Sequence, residues 1–175
     1  MRKVILYIAM SLDGYIARED GSVDWLPAGE GGDADYGYAE FKSSVDTVLM
    51  GRTTYEQVLT FGAYPYADCN SIVFSRKRAG ELGEHVRFTD EDPSDVLETL
   101  RGEQGKDIWL VGGGELISAF LDKALVDEFW IFIVPTLLGR GIQLFDGPFP
   151  DAVLQLRDVL AFQTGLVRLR YVNNG

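Results

Sequence analysis

Short, mostly apolar runs recur along this chain, and stretches with helical spacing lie between the earlier ones. Runs such as Val4-Ile5-Leu6-Tyr7-Ile8-Ala9-Met10 are nearly unbroken, the pattern of strands buried on both faces of a sheet. Eight strands are expected, over 3–10, 47–50, 71–75, 86–88, 107–111, 128–134, 153–162 and 166–172. Tyr38, Phe41 and Val45 recur at i, i+3 and i+7 and predict one helical face. Asp92-Pro93 supplies an N-cap and an N1 proline ahead of Val96, Leu97 and Leu100. Leu116, Ile117, Phe120 and Leu121 form a further stripe. Beyond Glu128 the helical pattern stops, and Gln163-Thr164-Gly165 reads as the turn of a final hairpin. The expected fold is α/β: a mainly parallel mixed sheet of eight strands flanked by helices, with an antiparallel C-terminal hairpin.

Composition narrows the function classes. The chain has 175 residues and a net charge of −11, which repels a nucleic-acid backbone but leaves a small anionic ligand possible. No repeat or linker divides it, so one domain over 1–175 is expected. No apolar run reaches the length of a membrane span. One cysteine (Cys69) and one histidine (His85) provide neither an intrachain disulfide nor a His-rich zinc site. A cytoplasmic setting is the expectation.

Three strand-to-helix junctions carry the candidate chemistry. Val111-Gly112-Gly113-Gly114-Glu115-Leu116 runs from an apolar strand straight into an amphipathic helix. Glycines admit positive φ and close approach of a ligand, and a helix start offers unpaired N–H groups to a pyrophosphate. A bare tight turn is the competing reading, although one glycine would suffice for it. Gly51-Arg52-Thr53-Thr54 opens another helix after a strand, and Ser75-Arg76-Lys77-Arg78 ends a third strand. In a parallel sheet all three lie at the carboxyl edge, where open α/β sheets hold ligands. Solvated loop charges are the alternative for Arg52 and Arg76.

With Met10-Ser11-Leu12-Asp13-Gly14-Tyr15-Ile16-Ala17, Gly51–Glu56, Val73-Phe74-Ser75-Arg76, Val111–Gly114 and Pro135-Thr136-Leu137-Leu138-Gly139, the chain resembles the dihydrofolate-reductase superfamily. The closer likeness is to the RibD C-terminal family, the reductase domain of riboflavin biosynthesis. The resemblance implies an oxidoreductase similar to 5-amino-6-(5-phosphoribosylamino)uracil reductase, with NADPH as cofactor. It implies that Ala9 and Ile16 lie against the nicotinamide. Gly51, Arg52 and Thr53 would hold phosphates, Ser75 and Arg76 the 2′-phosphate. Val111 through Leu116, with Gly112, Gly113, Gly114 and Glu115 between them, would meet the pyrophosphate around a cis Gly112–Gly113 peptide.

Two positions depart from the dihydrofolate-reductase pattern. The acidic residue that grips a pteridine is matched by Gly37, and Phe132 replaces the polar residue of the late strand. Between positions 21 and 46 only Lys42 is basic, so no cluster for a ribose phosphate is evident there. A changed small-molecule substrate, heterocyclic or carbonyl, is therefore expected. A dihydrofolate reductase with an unconventional pocket and a non-catalytic nucleotide-binding dimer are the alternatives. Asp13 is a candidate for orienting substrate or a loop, or else an Asp-Gly turn. Asp35 is a candidate proton donor, or else a helix cap. Tyr36, Tyr38 and Phe41 are candidates for stacking on a flat ring, or else core. The apolar run 129–134 and the segment 135–138 suggest a homodimer through the C-terminal sheet edge.

Overall fold

The computed structural model describes residues 1–27 and 35–174. In chain order the elements are β1 (Val4–Ser11), β2 (Tyr15–Ala17), α1 (Tyr38–Ser44), β3 (Val45–Gly51), α2 (Arg52–Leu59), β4 (Asn70–Phe74) and β5 (Val86–Thr89). They continue with α3 (Pro93–Gly102), β6 (Asp107–Gly112), α4 (Gly114–Asp122), β7 (Glu128–Val134), β8 (Ile142–Gln143), β9 (Leu154–Ala161) and β10 (Val167–Asn173). Eight strands form one sheet in the order β5-β4-β3-β6-β1-β7-β10-β9. Every pairing from β5 to β7 is parallel, and β10 and β9 close that side as the antiparallel hairpin.

The side-chain period of two explains how continuous apolar strands fill two cores. Val4 and Leu6 of β1 face a cluster that includes Ile108, Leu110 and the buried stripes of α3 and α4. Ile5, between them, faces the other cluster with Phe41, Val48, Met50 and Trp109. The α3 start follows its sequence: the Asp92 carboxylate accepts from the Ser94 N–H at 2.9 Å, with Pro93 in the first turn.

Three expectations need correction. Val45 does not extend the helical stripe of α1, because it is the first residue of β3, buried there from the strand. The pair β2–β8, a small antiparallel sheet of its own, was not anticipated; three and two residues are too few to show a period. The run 129–134 is no exposed edge either. As β7 it is paired on both sides, with β1 and with β10. The exposed apolar edge is β9, where Leu156, Val159 and Leu160 are 50%, 51% and 41% exposed.

At the amino edge, a polar hollow of about 470 Å³ is lined by Arg2, Arg101, Glu103 and Asp107. Its cations are already engaged: Arg2 pairs with Asp46 and donates to the Lys106 carbonyl at 2.7 Å, and Arg101 reaches Asp127 at 2.7 Å. The carboxyl edge is arranged differently. No helix among the described residues is long and apolar enough to cross a membrane.

Candidate functional site

The sheet parts in its middle. β1 pairs with β6 over Val4–Leu6 but with β7 over Ile5–Ser11, so beyond Leu6 it is joined on one side only. The carboxyl ends of β1 and β6 thus form two lips of a cleft. Ala9 stands on one lip; Val111 and the glycine bend form the other.

On the β6 lip the backbone turns at Gly112, with φ of +123°, a conformation side chains disfavour. The Gly112–Gly113 peptide is cis, as the resemblance implied. Gly113, at φ −78°, is the N-cap of α4, which starts at Gly114 rather than at Glu115. A methyl group at Gly51 would come within 3.8 Å of the Gly113 nitrogen, and one at Gly113 within 3.1 Å of Thr54 Oγ1. The starts of α2 and α4 therefore converge on one bare patch of backbone. Neither helix start receives a side-chain cap, unlike α3. Uncapped first-turn N–H groups beside glycine are the donors an anion needs. Glu115 is exposed in the first turn of α4, whereas Leu116 is buried in the core.

β4 and β3 bring the cationic junctions alongside. Gly51 pairs with Phe74 and Met50 with Gly112, so the Ser75–Arg76, Gly51–Thr53 and Gly112–Gly114 segments follow one another along the edge. Ser75 is buried, its N–H donating to the Thr89 carbonyl at 2.7 Å, and Arg76 is exposed just beyond. Thr53 is exposed too. Arg52 contacts both Glu56 oxygens at 2.7 Å, a partly exposed i,i+4 pair on its own helix.

Ile16 reaches the cleft from β2: a methyl at Gly114 would lie 3.9 Å from its Cδ1 and 3.2 Å from Ile142 Cγ2 of β8. Asp13, on the turn between β1 and β2, accepts from Ser11 Oγ at 2.6 Å and from the N–H groups of Leu138 and Gly139. The serine hydroxyl, with these backbone donors, holds its carboxyl down at about 2. Asp13 is therefore an anion at neutral pH that fastens the loop after β7 over the β1 turn.

On the β7 side of β1 lies an aromatic cluster. Phe132, Val134 and Leu166 are buried, with Tyr7, Ala9, Trp25, Tyr36, Trp130 and Phe162 packed against them. Tyr36 meets Phe162 edge-on at 4.9 Å. Phe41 is core, stacked on Tyr7 at 4.0 Å, while Tyr38 bridges Tyr7 and Trp109 at 6.3 and 5.9 Å. Asp35 accepts from the Ala39 N–H with both oxygens, at 3.0 and 3.1 Å, which steadies the start of α1. Burial, with Asp35 and Tyr38 near it, pushes the Tyr7 hydroxyl well above its ordinary range. Trp25 and Arg168 escaped the sequence reading. The alternation Arg168-Leu169-Arg170 in an otherwise apolar strand was the available clue, two cations on one face of β10.

The RibD C-terminal domain profile matches residues 2–168. The chain belongs to the RibD C-terminal domain family. Within reach of that family, it is 42% identical over 172 residues to the uncharacterized protein YwjB of Bacillus subtilis, covering 98% of each chain. A putative riboflavin biosynthesis protein from Shewanella sp. PV-4 superposes with a TM-score of 0.89 at 28% identity, over 99% of both chains. Dihydrofolate reductase from Enterococcus faecalis shares the fold, with a TM-score of 0.72 at 14% identity, over 99% of this chain and 97% of that one.

Proposed function

We propose that this protein is an NADPH-dependent reductase of a small heterocyclic or carbonyl substrate, related in activity to the pyrimidine reductase of riboflavin biosynthesis. The observation that carries the reading is the parting of β1 from β6, with bare glycine backbone and two uncapped helix starts on one lip. Such a cleft suits a flat, phosphate-bearing cofactor, because the backbone supplies donors where side chains would obstruct.

When bound, the reduced nicotinamide supplies the hydride. Ala9 and Ile16 would flank its ring and keep water from it. The N–H groups after Gly51 and Gly113, with Thr53, would hold the phosphates. Arg76 and the Ser75 hydroxyl would take the 2′-phosphate, and Arg52 would join them by exchanging Glu56 for it. Asp13 acts on position rather than on protons, holding the Leu138–Gly139 backbone so that the loop keeps its place beside the cleft. Asp35 and the Tyr7 hydroxyl would lie on the acceptor side, and Tyr7 retains its proton at neutral pH. The protein's own contribution is alignment and exclusion of water, which hydride transfer chiefly requires.

Three tryptophans, Trp25, Trp109 and Trp130, provide the readout. Titration with NADPH should quench their emission saturably, and NADH should do so only at higher concentration. Unchanged emission together with no heat of binding would overturn the reading. A screen of carbonyl and heterocyclic acceptors at fixed NADPH then tests turnover.

A further inference from the structure

Strand register lines up a row of side chains on one face of the sheet beside the cleft. Ala9 pairs with Phe132, Phe132 with Arg168, and Arg168 with Leu160. Directly paired residues share a face, so the Arg168 stem runs beside the aromatic cluster. Its side chain is only 13% exposed. Nη2 meets Asp158 at 2.7 Å, Nη1 lies 3.2 Å from where a side chain at Gly37 would begin, and Cζ is 5.4 Å from the Trp130 ring. Its Nε is buried with no hydrogen-bond partner among the described residues, and so are Trp25 Nε1 and Arg170 Nε, the latter on a guanidinium lying 3.8 Å from the Trp130 ring.

Guanidinium and indole nitrogens only donate. Buried donors without acceptors cost free energy, and a ligand that brings acceptors recovers it. The acidic groups near this face are Asp158, which already holds one arm of Arg168, Asp35, which is engaged with the Ala39 N–H, and Glu128, which is engaged with Lys3, Trp130 and Arg170. Gly37 places no carboxylate opposite the guanidinium.

We infer that Arg168, facing Gly37 beside the aromatic cluster, determines specificity by selecting flat rings whose edge presents hydrogen-bond acceptors. The inference rests on the reductase reading, which makes this cluster the acceptor pocket. Trp25, Tyr36, Phe132 and Phe162 cluster beside Arg168, and aromatic faces of this kind suit a planar ring. The polarity of that ring is set by donors: carbonyl oxygens match Arg168 and Trp25, while amino groups would set donor against donor. A site built to satisfy hydrogen-bonding groups rejects ligands that leave them unpaired.

Pteridine-2,4-dione and pteridine-2,4-diamine share one ring system and differ at that edge. Calorimetric titration of the intact protein, with and without NADPH, should give the dione at least about tenfold tighter binding. Arg168→Met retains the stem beside Trp130 and should reduce that preference to about twofold or less. Trp25→Phe leaves the Arg168–Asp158 pair untouched and should weaken the dione alone, which keeps the test decisive if Arg168→Met does not fold. Tighter binding of the diamine, no binding of either ring, or an unchanged ratio in the folded variants would overturn the inference. NADPH titrated into the same wild-type sample decides the reductase reading separately. Ring selectivity without cofactor binding would sustain the role of Arg168 and remove the hydride chemistry.

Discussion

Gly139 donates its backbone N–H to the Asp13 carboxylate at 2.7 Å, joining residues 126 positions apart across the mouth of the cleft. The carboxylate sits on the turn after β1 and the N–H on the loop after β7. Neither element could hold the other by sequence proximity. The bond fixes the loop from which the chain passes on to β8, the strand that pairs with β2 and brings Ile142 against Gly114.

Asp13→Ala should therefore release this loop while leaving the sheet intact. We expect the loss of binding to appear mainly as a raised KM for NADPH, with the thermal midpoint lowered by only a few degrees. The pH dependence follows from the depressed carboxyl, held at about 2. Its contribution is fully present above the ordinary carboxylate value of about 4 and fades as pH falls through the folded value. Hydrogen exchange at Leu138 and Gly139 between about pH 5 and pH 2 checks this. Protection that does not decline over that window in wild type would count against the loop clamp.

Arg76 is exposed and free to turn toward a phosphate. Arg76→Ala should weaken NADPH by about tenfold, the scale of one charge-assisted bond of about 1.5 kcal/mol, and leave NADH nearly unchanged. Equal losses for both cofactors would remove Arg76 from the 2′-phosphate.

The glycine bend separates strain from crowding. Gly112 has φ of +123°, so Gly112→Ala should cost about 1–3 kcal/mol of stability. Gly113, at φ −78°, escapes that strain. Its added methyl would meet Thr54 Oγ1 at 3.1 Å instead. Gly113→Ala should therefore fold nearly as well as wild type and lose NADPH binding. Urea melts and cofactor titration on the same samples distinguish the two; a Gly113→Ala protein with unchanged affinity would make the bend only a turn.

A homodimer is expected through β9, the exposed edge strand, rather than through β7. Light scattering should give twice 19.4 kDa, and Val159→Lys should yield the monomer, since a lysine on an edge strand opposes edge pairing. A monomer mass for wild type throughout the micromolar range rejects the interface.

The sequence by itself determined the eight strands of the main sheet, the helices and the three junctions, but not the short pair β2–β8. Each is local: continuous apolar runs, the Asp92-Pro93 start of α3 and the Gly112–Gly114 bend announce themselves within a few residues. It also determined that the junctions share one edge, because a parallel sheet allows nothing else. Only the tertiary structure decided the rest. Whether β1 and β6 part after Leu6 depends on pairing between segments a hundred residues apart, which no local pattern encodes. The same holds for Arg168. Its neighbours Phe132 and Trp130, Asp158, and Gly37 come from three separate elements (β7, β9 and the start of α1), so a strand that carried no motif joins the aromatic cluster once register sets Arg168 and Phe132 on one face.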